Sequence, residues 1–91
     1  FILFARNVET PGQVRALTEA LRPLAAASPC PILIDQEGGR VARLRPPHWP
    51  AFPPAADFAG LPEAAARANA ALLGLTCRAV GLDVVCAPVL D

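Results

Sequence analysis

The sequence predicts an α/β fold, in which about three parallel strands are joined by two crossover helices. Three short apolar segments, at 1–4, 32–35 and 84–86, have the length and composition of strands buried in a sheet. Two longer segments between them repeat their apolar residues at helical spacing. Because a helix separates each strand from the next, the connections are crossovers, and we expect the strands to run parallel.

The first helix begins at a capping box. Thr10 can accept a hydrogen bond from the amide of Gln13, whose side chain can reach back to the cap, and Pro11 stands where a missing N–H costs nothing. Four apolar residues then share one helical face, and these are Val14, Leu17, Leu21 and Leu24. We expect the helix to continue to about Ala27, where the proline-containing segment 28–31 ends it.

The second strand, 32–35, is continuously apolar up to its final carboxylate, which is typical of a strand buried on both faces. The second helix is predicted from about Pro62 to Gly81, because glycine suits the left-handed position just past a helix. Five residues form its apolar face, and these are Ala66, Ala70, Leu73, Cys77 and Val80. The third strand, 84–86, follows directly.

The spacing of the strands fits part of a (β/α)8 TIM barrel, which allots roughly 31 residues to each strand-helix unit. Ile2 and Ile32 are 30 residues apart, whereas Ile32 and Val84 are 52 apart. The additional length lies in the segment 36–56, which we predict to be a loop, with its stretch 45–54 too rich in proline for regular structure. Barrels and open parallel sheets bind ligands at loops that follow strands, so a site is expected there.

Composition and charge exclude several function classes. Eight arginines and no lysines balance eight carboxylates, which leaves net charge zero and no basic stripe, so we expect no nucleic-acid partner. No apolar run approaches the roughly 18 residues of a membrane-spanning helix, and no membrane partner is expected. The three cysteines are odd in number and form no C-x-x-C pair, so we expect neither a disulfide framework nor a metal site, and a reducing cytoplasm is favoured. The thiols are expected to lie in the core.

The densest polar segment is 35–43, Asp-Gln-Glu-Gly-Gly-Arg-Val-Ala-Arg, which begins at the end of the second strand. Carboxylates accept hydrogen bonds from hydroxyls and arginine donates them in a fixed fork, so the segment suits a polyhydroxylated ligand such as a sugar. Glu37 and Arg40 can equally pair with each other or with neighbours to hold the loop. A phosphate cradle is disfavoured, because neither glycine-rich phosphate motif is present and two carboxylates flank the glycines.

Three further residues have both a functional and a structural interpretation. Trp49 can stack on a sugar ring, but its proline-rich surroundings favour packing of the long loop. His48 can move protons near neutral pH, yet the sequence offers no partner for a metal site or a nucleophile pair. Asp91 follows an apolar segment as Asp35 does, and it is either a ligand contact or a loop cap.

Three segments resemble successive strand ends of the amino-terminal barrel of family 3 glycoside hydrolases. They are Ile-Leu-Phe-Ala-Arg-Asn at 2–7, Asp-Gln-Glu-Gly-Gly-Arg-Val at 35–41 with Arg43 and Arg45 following, and Ala-Pro-Val-Leu-Asp at 87–91. The second block is the specific one. The closest similarity is to the bacterial β-N-acetylhexosaminidases of peptidoglycan recycling.

The resemblance implies a cytoplasmic, retaining exo-enzyme that removes terminal β-linked N-acetylglucosamine from muropeptide fragments without a cofactor. It also implies that Asp35 and Arg43 are substrate-binding residues. The family's other site residues lie in a K-H-x-P-G-H-G block with a catalytic histidine and an S-D-D block with the aspartate nucleophile, and neither block occurs in these 91 residues.

We therefore predict no catalytic residue in this chain and no activity of the chain alone. The absence of an initiating methionine and the apolar segments near both ends indicate a piece of a larger barrel. Two alternatives remain open at this point. One is a family 3 enzyme with another sugar preference, such as a β-glucosidase, and the other is a non-catalytic α/β sugar-binding module.

Overall fold

A computed structural model describes residues 1–25 and 28–88 and shows a three-stranded parallel sheet with two crossover helices, as predicted. The strands and helices in chain order are β1 (Ile2–Leu3), α1 (Pro11–Leu21), β2 (Leu33–Ile34), β3 (Gln36–Gly38), β4 (Val41–Ala42), α2 (Glu63–Ala79) and β5 (Val84–Val85). The parallel sheet has the order β1-β2-β5, and β3 pairs with β4 in a separate antiparallel hairpin. This architecture is a small α/β unit, compatible with part of a barrel.

Among residues 1–25 and 28–88, one face of the parallel sheet is covered and the other is largely open. The row Leu3, Ile34 and Val85 packs into the apolar core, whereas Ile2 and Val84 in the neighbouring row are 51% and 40% exposed. We call the row Ile2, Leu33 and Val84 the open sheet face. The prediction that the second strand is buried on both faces is correct only in part, since Ile34 is fully buried and Leu33 is half-buried.

The core joins both helices, the covered face of the sheet and the long loop. Its buried members are Leu3, Val14, Ile32, Ile34, Leu44, Trp49, Phe52, Leu73, Cys77, Val80 and Leu82. A buried hydrogen bond links α1 to the end of α2, since the Thr18 hydroxyl donates to the carbonyl of Val80 at 2.8 Å. Gly81 has φ +87°, and a Cβ there would lie 2.3 Å from the Thr18 hydroxyl oxygen, so the predicted left-handed glycine is confirmed.

The capping of α1 differs in one bond from the expectation. The Thr10 hydroxyl accepts from the amide of Gln13 at 3.2 Å, as predicted. The Gln13 side chain, however, accepts from the amide of Glu9 at 2.9 Å rather than from Thr10. The helix start is therefore satisfied one residue further upstream than a standard capping box.

The carboxyl end of α1 is shorter than predicted. The helix ends at Leu21 and continues as a 3-10 turn, Arg22–Ala25, and Leu24 is 71% exposed. Pro23 lacks the N–H that an α-helix requires, and the tighter 3-10 turn rotates Leu24 away from the core face. The predicted end near Ala27 lies outside the described residues.

Helix α2 occupies the predicted segment within two residues at either end. Leu73, Cys77 and Val80 are buried as predicted, but Ala66 and Ala70 are exposed. The first half of the apolar face therefore lacks a covering element in the part of the chain that the structure describes. No helix there is long and apolar enough to cross a membrane.

The segment 36–56, predicted to be a long loop, contains regular structure in its first part. It contains the β3-β4 hairpin and enters a 3-10 turn, Ala55–Phe58. Its proline-rich stretch 45–54 has neither helix nor strand, as predicted. A single residue separates the end of β2 from the hairpin, so the hairpin lies at the carboxyl edge of the parallel sheet.

Candidate functional site

The site begins with Asp35, the single residue between β2 and the hairpin. In a parallel sheet all strands end at the same edge, so Asp35 lies beside the ends of β1 and β5. Its side chain is 31% exposed. The carboxylate is therefore held against the protein but remains open to a ligand.

Arg43 is the partner of Asp35. The hairpin reverses the chain and returns Arg43, eight residues later, to the strand end, where its Nη2 donates to Asp35 Oδ2 at 3.0 Å. The arginine side chain is 25% exposed, and its Nε is buried without a hydrogen-bond partner among the described residues. The structure thus brings together the two residues that the resemblance assigns to substrate.

Gln36 is a buried residue that sequence reasoning did not single out. Its Oε1 accepts from the amides of Arg43 at 2.8 Å and Leu44 at 3.0 Å, and its Nε2 donates to the carbonyl of Leu44 at 3.0 Å. The side chain is fully buried. A glutamine directly after a strand-ending aspartate was the available signal, because a buried amide must find several partners.

The turn of the hairpin depends on glycine. Gly38 has φ +99°, and a Cβ at this position would lie 2.2 Å from the carbonyl oxygen of Pro53. The amide of Gly39 donates to the carbonyl of Phe52 at 2.8 Å. The hairpin therefore packs closely against the proline-rich stretch 45–54, which holds its turn in place.

Arg45 closes the hairpin on its other side. Its Nε donates to the carbonyl of Ala42 and its Nη2 to that of Arg40, each at 2.6 Å. Glu37 and Arg40 form no ion pair with each other in the described part of the chain. Neither side chain has an ion pair with a neighbour there either, so the interpretation that Glu37 and Arg40 hold the loop by pairing with each other or with neighbours is wrong. Gln36 and Arg45 bind the backbone of the loop instead.

Trp49 packs in the core, as the structural interpretation predicted. It is 8% exposed and belongs to the apolar cluster. His48 is exposed and meets the Trp49 ring edge-on, with ring centroids 5.9 Å apart. Asp91 lies outside the described residues.

The cysteines differ from one another in their surroundings. Cys77 is buried, and burial raises the pKa of its thiol to about 11. Cys30 is half-buried and Cys86 is exposed, so the expectation of three core thiols is correct only for Cys77. Cys86 follows β5 at a sheet edge that has no neighbour among residues 1–25 and 28–88. No group of three or more histidine, cysteine or acidic side chains in the same residues could hold a metal ion.

An apolar groove of about 360 Å³ opens beside the hairpin. It runs between the exposed start of the α2 face and the end of β5, and two polar side chains, Glu37 and Asn69, line it. Neither Asn69 nor Phe58, another lining residue, was singled out from the sequence. Glu37 thus lines this groove, which Asp35 and Arg43 do not, and no hydrogen bond in the described residues connects Glu37 to that pair.

The fold and the Asp35–Arg43 pair define a class of protein: a parallel α/β unit with a carboxylate–guanidinium pair at its strand ends. A carboxylate supplies acceptors and a guanidinium supplies donors, so together they match ligands whose groups both donate and accept.

The curated relatives confirm the similarity to hexosaminidases. A protein named Beta-hexosaminidase from Xanthomonas oryzae pv. oryzae (strain KACC10331 / KXO85) is 46% identical over 99 residues, covering 99% of this chain and 28% of that protein. Beta-hexosaminidases from Pseudomonas aeruginosa (strain LESB58) and Xanthomonas campestris pv. campestris (strain B100) are 45% and 43% identical, with 27% and 29% of their lengths covered. No family model matches. The chain is therefore similar over nearly all its residues to a segment of these proteins and spans little more than a quarter of their length.

Proposed function

We propose that this chain is a segment of a family 3 β-N-acetylhexosaminidase and supplies part of its sugar-binding site. The complete protein would remove terminal β-linked N-acetylglucosamine from muropeptide fragments in the cytoplasm. The observation that carries the proposal is the Asp35–Arg43 contact of 3.0 Å at the carboxyl edge of the parallel sheet. The names of relatives that share 43–46% of aligned residues support the hexosaminidase class.

The pair suits a sugar hydroxyl for a chemical reason. A hydroxyl can donate to the Asp35 carboxylate and accept from the Arg43 guanidinium at the same time. Each such charge-assisted bond contributes about 1.5–3 kcal/mol. Because the two side chains already contact each other, they need little reorganisation to receive the ligand.

The proposed division of labour leaves the chemistry to other parts of the protein. A retaining glycosidase needs a nucleophile and a second group that acts as acid and then as base. The resemblance assigns these roles to two sequence blocks that are absent from the 91 residues. We therefore expect this segment to bind sugar within the complete barrel and to show no hydrolysis by itself.

The complete reading frame, assayed on the 4-nitrophenyl β-glycosides of N-acetylglucosamine and glucose, tests the proposal. Faster turnover of the N-acetylglucosaminide and a product of retained configuration are expected. Preference for the glucoside would replace the proposal with a β-glucosidase. Hydrolysis of neither, with binding of N-acetylglucosamine, would indicate a non-catalytic sugar-binding module.

Substitution of the pair tests the two residue roles. Asp35→Ala and Arg43→Ala should each lower kcat/KM on the N-acetylglucosaminide by roughly tenfold to a thousandfold, the upper limit applying where the bond tightens in the transition state. Glu63→Ala and Arg67→Ala are matched controls, since these residues form an exposed acid–arginine pair on α2, and they should leave kcat/KM unchanged. Unchanged kinetics of correctly folded Asp35 and Arg43 variants would refute the binding roles.

A further inference from the structure

Gln36 is placed to control the geometry of the Asp35–Arg43 pair. It follows Asp35 directly in the chain, and its side chain reaches across the hairpin to the backbone at Arg43 and Leu44. One residue is therefore connected to both members of the pair, to one by a peptide bond and to the other by a hydrogen bond.

The backbone pairing between β3 and β4 ends one residue before Arg43. The last register partners are Gln36 with Ala42, and the backbone of β3 does not pair with Arg43. The Gln36 amide takes over at this point, because its oxygen accepts from the next two amides and its nitrogen donates to the carbonyl of Leu44. The side chain thus extends the pairing by two residues.

Arg43 has few other polar contacts that could position it. Within residues 1–25 and 28–88 its guanidinium bonds only to Asp35, and its Nε has no hydrogen-bond partner. The direction of the arginine side chain therefore depends on where its backbone is held. That backbone is held by Gln36 at 2.8 Å and by burial of the neighbouring Leu44, which is 1% exposed.

We propose that Gln36 is a positioning residue that fixes Arg43 against Asp35 and so sets the affinity of the site for a sugar hydroxyl. This inference rests on the proposed function, because it assumes that Arg43 binds substrate. Gln36 itself is fully buried and does not touch the ligand.

The test is made in the complete protein with Gln36→Met, which keeps the length of the side chain and removes its three hydrogen bonds. Displacement of Arg43 should lower kcat/KM per folded enzyme by roughly tenfold to a hundredfold, mainly through KM. In the Arg43→Ala background the same substitution should cost less than about threefold, because residues acting through one another are not additive. Amide hydrogen exchange at Arg43 and Leu44 should become faster in Gln36→Met.

Gln13→Met is the matched control. The Gln13 amide also binds the backbone twice, at Glu9 and Asn7, but it belongs to the start of α1. It should leave KM within about twofold and leave the exchange of the Arg43 amide unchanged. A merely structural effect would lower the folded fraction in both variants and move KM in neither.

The outcomes separate this inference from the function on which it rests. If Asp35→Ala and Arg43→Ala do not alter kcat/KM, the proposed function fails. If they do alter it, two results would overturn the positioning role. One is an unchanged KM in Gln36→Met, and the other is a double variant whose loss in kcat/KM equals the product of the losses of Gln36→Met and Arg43→Ala. Should Gln36→Met not fold, Gln36→Glu is the second variant. In its neutral form, which full burial favours, the Glu carboxyl accepts from the amides of Arg43 and Leu44 and donates to the Leu44 carbonyl, so KM should stay within about threefold of wild type. A KM as high as that of Arg43→Ala would overturn the role.

Discussion

The tight contact behind the hairpin makes Gly38→Ala the most informative single substitution. The new methyl group would lie 2.2 Å from the carbonyl oxygen of Pro53, about 1.2 Å inside the 3.4 Å at which ordinary contact begins. The obstacle is backbone and not the end of a flexible side chain. Either the hairpin or the proline-rich stretch must therefore move.

Three contributions set the expected magnitude. A side chain at φ +99° costs about 1–2 kcal/mol, and overpacking against backbone adds about 1–3 kcal/mol. The lower entropy of the unfolded alanine chain offsets about 0.4–1 kcal/mol. We expect Gly38→Ala to destabilise the complete protein by about 1–5 kcal/mol and, because Arg43 directly follows the hairpin, to lower kcat/KM as well.

Urea unfolding of the complete protein measures this effect, with Gly12→Ala as the control. Gly12 lies in the first turn of α1, and no heavy atom is within 4 Å of a Cβ built there. The control should be neutral or stabilise by up to about 1 kcal/mol. Equal urea midpoints for the two variants would show that the hairpin does not press on the Pro53 carbonyl and would refute the reasoning.

Three other predictions concern acid stability, thiol reactivity and self-association. The Arg22 side chain and the amide of Ile32 lower the pKa of Asp83, so the stabilisation by this carboxylate is present at neutral pH and is lost as pH falls through that lowered value. Asp83→Asn should lower the free energy of unfolding by about 1 kcal/mol at pH 7 and by less below about pH 4. A loss in urea titrations that is independent of pH would contradict this. Cys77 has a pKa of about 11 and is 1% exposed, so it should resist iodoacetamide in the native protein and react with it in urea, as mass spectrometry can show. Reaction at the rate of a free thiol under native conditions would contradict its burial. In sedimentation, the isolated chain should associate through its open sheet face and through the strand edges that have no partner among the described residues. A soluble monomer with a sharp two-state urea transition would count against the partial barrel.

The sequence was sufficient to predict the parallel sheet and both helices, because these elements follow from local periodicity and caps. Errors arose where a single proline ends a helix or where burial depends on a packing element that the local sequence does not reveal. Pro23 converts the end of α1 to a 3-10 turn and exposes Leu24, which an ideal helical wheel places inside. Ala66 and Ala70 have the spacing of a buried face, yet no described residue covers them.

The site was less predictable than the fold. Asp35 could be selected from the sequence, since a carboxylate at the end of a buried strand is costly unless it has a polar or charged partner. Arg43 could not be paired with it by spacing alone, because an eight-residue separation has no fixed geometry in a loop. The hairpin creates that geometry, and the Gly38-Gly39 pair was its only local signal.

The contact between Asp35 and Arg43 also bears on which ligands the proposed site would accept. An uncharged hydroxyl can bridge the carboxylate and the guanidinium while the two charges continue to balance each other. A phosphate would have to take Arg43 away from Asp35 and would leave a half-buried carboxylate beside a second anion. The proposed site would therefore favour neutral sugars over phosphorylated ones, and such a preference would require no net charge on the chain, which carries none. Competition of N-acetylglucosamine and its 6-phosphate for the active site of the complete protein would reveal it, and a tighter inhibition constant for the phosphate would contradict it.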